Sequence, residues 1–134
     1  MAISSIDTNL IVRIITCDEP KMRVQAIDLL SEDNHTFRVF PPALIETVYV
    51  LETVYNYPRK DIVDKLVFFF ARFSDNIIYD IHITKLAFPL YLEHPQLSFC
   101  DCMLSAYAEA NNAEPLFTFD KALAKKSASA KLVS

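Results

Sequence analysis

The 134 residues contain no glycine, where ordinary usage of about 7% would place roughly nine. That absence removes several mechanisms. A dinucleotide fingerprint, a Walker P-loop, a nucleophile elbow and an EF-hand loop each need glycine where the backbone turns at positive φ or approaches a ligand closely. Basic residues are also in deficit: 13 Lys and Arg face 17 Asp and Glu, a net charge of −4. This is not the global footprint of a protein that grips duplex DNA nonspecifically. The three cysteines, Cys17, Cys100 and Cys102, form no CxxC and read as reduced packing residues of a cytoplasmic protein. The opening residues have neither a basic region nor a long apolar core, and the richest later run, LVFFFARF, is interrupted by Arg72. Neither an export signal nor a transmembrane helix is expected. His35, His82 and His94 lack paired ligand spacing and read as structural or surface residues.

With 52% hydrophobic and 22% charged residues, the sequence reads as a single globular domain over 1–134. Short β-like runs alternate with helical ones. Strands are expected at 3–6, 37–40, 77–81, 115–119 and 131–133. Asp7-Thr8-Asn9 supplies N-cap chemistry to a first helix carrying Leu10, Ile11, Ile14 and Ile15. Pro20 opens a second helix with Val24, Ile27 and Leu30 on its inner face. Pro41-Pro42 starts a third, marked by Leu44, Val48, Leu51 and Tyr55. A fourth, 59–73, carries Ile62, Leu66, Phe69 and Phe73 on its core stripe. Residues 83–94 look helical, but Pro89 should kink or split them. Ser98 caps a helix with Phe99, Met103, Ala106, Tyr107 and Ala110 on one face, ending at Asn111-Asn112. Asp120 caps a last one to about 127. This alternation predicts a three-layer α/β/α domain with a short, mainly parallel sheet of four or five strands.

In such folds ligands sit beyond the carboxyl ends of the strands. Asp7 and Asp120 occupy that place, Glu46 lies early in the helix after strand two, and Asp101 lies in the first turn of the helix leading into strand four. Each alone has an ordinary explanation: Asp at a strand–helix junction is an N-cap, and Ser98-Phe99-Cys100-Asp101 fits a capping box. The four in this order nevertheless suggest convergence at one edge.

Four segments, Ile6-Asp7-Thr8-Asn9, ALIETVYVL (43–51), LSFCDCMLSA (97–106) and LFTFDKAL (116–123), make the chain resemble the PIN-domain ribonucleases, and within them the small VapC-type toxins. The resemblance implies a PIN-like fold and identifies Asp7, Glu46, Asp101 and Asp120 as the acids that bind Mg²⁺ or Mn²⁺, with Asn9 and Thr118 in support. It also implies hydrolysis of single-stranded or loop RNA, a cognate antitoxin and a homodimer. Asn112 stands where that family usually has glycine, and Pro89 interrupts a usually helical stretch.

The chemistry suits the residues. A hard divalent cation prefers oxygen ligands, activates water and stabilises the leaving oxygen of a phosphodiester. Asp7, Asp101 and Asp120 are expected nearest the metal, with Glu46 holding a bound water. Without these four, 13 acids remain against 13 bases (17 minus 4), so the net charge is that of the site. Arg13, Lys121 and Lys125 are the candidate phosphate contacts. Phe68-Phe69-Phe70 with Phe73 is too continuous for a base-stacking platform and reads as core or interface; three in a row cannot all face one core, so part of that helix is expected to pack on a second subunit. The alternative is a noncatalytic PIN-like scaffold for protein or RNA, with the acids serving as caps. A receiver or haloacid-dehalogenase type of phosphotransfer domain would need a second early acid that Asp7-Thr8-Asn9 does not provide.

Overall fold

The computed structural model describes residues 2–133, which divide into two compact units, 2–79 and 80–133. In the first unit, β1 (Ala2–Ser5), β2 (His35–Arg38) and β3 (Ile77–Ile78) form a parallel sheet in the order β1-β2-β3. Ala2 lies beside His35 and Phe37 beside Ile77. Parallel neighbours require long crossovers. Helices α1 (Thr8–Thr16) and α2 (Pro20–Leu30) make the first, and α3 (Pro41–Thr53) and α4 (Arg59–Arg72) the second. Ile11, Leu30, Phe37, Val48, Leu51, Ile62, Leu66 and Phe69 form the core of this unit.

The second unit comprises α5 (Ile81–Glu93), α6 (Phe99–Ala110), β4 (Leu116–Thr118), α7 (Lys121–Lys126) and β5 (Ala130–Leu132), with β4 and β5 parallel. Helices α5 and α6 pack along each other, and Phe99 meets both Phe88 and Tyr91. A buried hydroxyl pair joins α6 to the end of α7, where Ser127 Oγ donates to Ser105 Oγ at 2.9 Å.

All five expected strands are present and every pairing is parallel. Among the described residues they form ladders of three and two strands. Strand β3 is shorter than the apolar run suggested: its pairing with β2 stops at Ile78, and α5 starts three residues on at Ile81. Pro89 neither ends nor splits α5. It removes one backbone donor, but Pro89 and Lys85, four residues earlier, are both exposed, so water can reach the carbonyl left without its partner. In α2 the inner face differs from expectation: Val24 is 57% exposed, and Ala26 and Leu30 are the buried residues. In α4 Phe69, Phe70 and Phe73 are buried while Phe68 is 68% exposed, since three successive side chains on a helix span about 200°.

Four described non-glycine residues have left-handed backbone: Cys17, Asn34, Asn56 and Asn112. Asparagine tolerates this region better than other side chains. Cys17 is exposed, as is Cys100, and only Cys102 is a buried packing residue. No disulfide joins cysteines among the described residues, and the expected packing role holds for Cys102 alone.

Candidate metal and RNA site

Two of the four acids lie in each unit. In the first, β1 ends at Ser5 and Ile6 turns inward, leaving Asp7 at the N-cap of α1. One Asp7 carboxylate oxygen accepts from Leu10 N–H at 3.2 Å, and the residue is exposed. Thr8 is buried, and its hydroxyl donates to the Ala43 carbonyl at 3.3 Å. The same carbonyl accepts the Thr47 hydroxyl at 2.7 Å. These bonds tie the start of α1 to the start of α3, so Asp7 and the exposed Glu46, in the second turn of α3, belong to the carboxyl edge of the three-stranded sheet. Thr8 and Thr47 were missed as positioning residues. Their signal was present as polar residues at otherwise apolar helix positions, which need a buried acceptor.

In the second unit Ser98 N-caps α6 with a complete capping box. Ser98 Oγ accepts from Asp101 N–H at 3.0 Å, and Asp101 accepts from Ser98 N–H at 3.3 Å. Asp120 caps α7 by accepting from Leu123 N–H at 3.0 Å, and its own N–H donates to the Thr118 hydroxyl at 2.9 Å. Thr118 thereby holds the backbone at Asp120. Asn9 is exposed in the first turn of α1. A further acid outside the motifs, Asp80, accepts from the Tyr107 hydroxyl at 2.6 Å.

Among the described residues, neither unit brings three or more His, Cys, Asp or Glu side chains together. The chemistry of the donors still suits a hard cation: all four are carboxylates, exposed or half-buried, and no Lys or Arg among the described residues pairs with them. Of the expected phosphate contacts, Lys121 and Lys125 are exposed on α7. Arg13 is engaged elsewhere, its guanidinium 3.1 Å from Asp18 and 3.4 Å from the Tyr55 hydroxyl. Hydrogen bonds from Tyr55 first and Thr16 second, with Arg13 adding to them against the effect of burial, hold the Asp18 carboxyl below its ordinary range.

Strands running parallel into acid-bearing helix starts define an α/β domain of the kind that works at its strand ends. The chain belongs to the PIN domain family, whose model matches residues 5–128. Among solved structures, VapBC2 from Rickettsia felis bound to a DNA fragment from its promoter is similar at 18% identity over 99% of this chain and 98% of that chain, with a TM-score of 0.36. No curated protein gives a significant match. PIN domains are generally nucleases, and those nucleases generally use divalent metals. Among the described residues no helix is long and apolar enough to cross a membrane.

Proposed function

We propose that the chain is a cytoplasmic, Mg²⁺- or Mn²⁺-dependent endoribonuclease of VapC type, acting on single-stranded or loop RNA as one PIN domain and restrained by a cognate antitoxin. Asp7, Asp101 and Asp120 hold the metal, and Glu46 orients a bound water. When bound, the metal supplies activation of water and stabilisation of the leaving oxygen. The chain's own residues position the acids: Thr8 and Thr47 through the Ala43 carbonyl, Ser98 through its box with Asp101, and Thr118 through Asp120. One observation carries this reading. The PIN match from 5 to 128 encloses four carboxylates that no described Lys or Arg neutralises.

The noncatalytic alternative has one observation in its favour, since Asp7, Asp101 and Asp120 each already serve a helix start. Asparagine separates the two readings because its side-chain oxygen can still accept the backbone hydrogen bond at a helix start while it carries no charge. RNA from a mixed pool is incubated with Mg²⁺ or Mn²⁺, with EDTA and Asp101→Asn protein as controls. The expected result is cleavage by wild type, loss in EDTA, and a drop of about 100-fold or more in the variant, on the order of 3 kcal/mol of transition-state stabilisation. Equal cleavage by Asp101→Asn protein would leave the acids as caps alone.

A further inference from the structure

Neither the acids nor the core accounts for a pocket of about 300 Å³ in the first unit, whose lining comes from the end of α1, from α2 and from α4. Its apolar walls include Ile14, Ile15, Phe69 and Phe73. Three cations, Arg23, Lys65 and Arg72, stand among these walls, and no described carboxylate of the first unit pairs with any of them. The single acid of the lining, Asp64, is already 3.0 Å from Lys60. Arg23 Nε–H donates to the Ile14 carbonyl at 3.0 Å, which ties the guanidinium to the end of α1 and leaves its terminal nitrogens for another acceptor. The Arg72 guanidinium lies 5.2 Å from the Phe73 ring centroid, a cation held against the apolar wall.

Charge and shape together select an occupant. Excess positive charge calls for an anion, and the apolar walls call for a hydrocarbon body. The Phe69 and Phe73 rings are tilted by 57° with centroids 5.4 Å apart, so they make no flat slot for a nucleobase. A buried base would also need polar partners for its edges. Besides the cations, the side chains of the lining offer it only Asp64 and the Cys17 thiol, which donates to the Ile14 carbonyl at 3.8 Å. A flexible aliphatic tail has neither requirement. At about 30 Å³ for each water-sized group the pocket takes about ten heavy atoms, the size of octanoate.

We propose that this pocket binds a medium-chain aliphatic carboxylate, its head on Arg23 and Arg72 and its tail against Ile14, Ile15, Phe69 and Phe73. The site does not depend on the ribonuclease reading. Wild type is titrated calorimetrically with butanoate, hexanoate and octanoate, and with octylammonium as the charge-reversed control. Expected are affinity rising about four-fold for each added CH₂, no binding of octylammonium, and about ten-fold weaker octanoate binding by Arg72→Gln protein with an unchanged melt. Cys17 lines the pocket and reports occupancy without a variant: octanoate at ten times its Kd should slow its alkylation by iodoacetamide about ten-fold and leave the exposed Cys100 unprotected. Equal affinity for butanoate and octanoate would reduce the site to an anion contact and overturn the proposal. An undiminished alkylation rate at Cys17, or octylammonium binding as tightly as octanoate, would overturn it as well. Octanoate affinity that falls with rising protein concentration, as a dimer appears in sedimentation, would assign the pocket to a second copy of the chain instead.

Discussion

Asp18 belongs to no sequence motif, yet three side chains donate to it. The Tyr55 hydroxyl donates to it at 2.6 Å, Thr16 at 2.9 Å and Arg13 at 3.1 Å. Its depressed pKa means the unfolded chain binds the proton more readily, so the contribution to stability is present above about pH 3.9 and is lost as pH falls through the folded value. Urea unfolding between pH 2 and 6 should show wild type losing more stability on acidification than Asp18→Asn. Equal losses would remove Asp18 from the acid response. Cys17 supplies a second test at this scale. A side chain without asparagine's local hydrogen bonding costs about 1 kcal/mol at positive φ, so Cys17→Asn should raise the urea midpoint with an unchanged m-value. The caps at Asp7, Asp101 and Asp120 were legible as residue patterns because each needs only neighbours in sequence. The tie between Arg13, Asp18 and Tyr55 was not, because Tyr55 lies 42 residues from Arg13 and 37 from Asp18.

Among the elements, helix starts followed the sequence closely and helix faces less so. Pro20, Pro41 and Ser98 mark α2, α3 and α6 through local geometry, and the structure keeps all three. The inner face of α2 was misjudged because Val24 and Ile27 looked apolar, whereas the burial of Ala26 is decided by packing against α1. In α5, Pro89 survives because buried Ile83, Thr84, Ala87 and Tyr91 hold the helix through its missing bond. Pro89→Ala restores that donor and should stabilise the protein by about 1–2 kcal/mol, the helix gain being partly offset by a freer unfolded chain. Thermal melting checks this, and no change would mean that the helix had already adapted to the ring. Ser98→Ala should cost about 1 kcal/mol by opening the capping box of α6, measured by the same melt.

For the whole molecule, the alternation of strands and helices was enough to give the α/β class and the parallel pairing, since β-like runs separated by helical ones have few other solutions. The division of the strands into ladders of three and two was not legible, because runs of three residues such as Leu116–Thr118 carry no register information. Under the proposed metal site, a cation bound by the folded chain and not by the unfolded one adds stability by mass action. Mg²⁺ or Mn²⁺ at a hundred times its Kd should contribute about 2.7 kcal/mol to wild type and much less to Asp7→Asn or Asp120→Asn, followed by calorimetry. If the chain forms the homodimer that the family resemblance implies, the exposed Val67 and Phe68 on α4 are the apolar face it would use. Phe68→Glu should therefore shift sedimentation towards the monomer without changing the melt.

Filling left-handed positions with asparagine and cysteine instead of glycine also acts on the state that is never seen in a folded structure. A chain with a Cβ at every residue explores fewer backbone conformations when denatured, and so has less entropy to surrender on folding. At roughly 0.4–1 kcal/mol for each glycine replaced at a compatible site, the nine that average usage would have placed here amount to several kcal/mol drawn from the denatured ensemble, less the strain at the few positive-φ turns. Part of this protein's stability therefore resides in the stiffness of its unfolded chain.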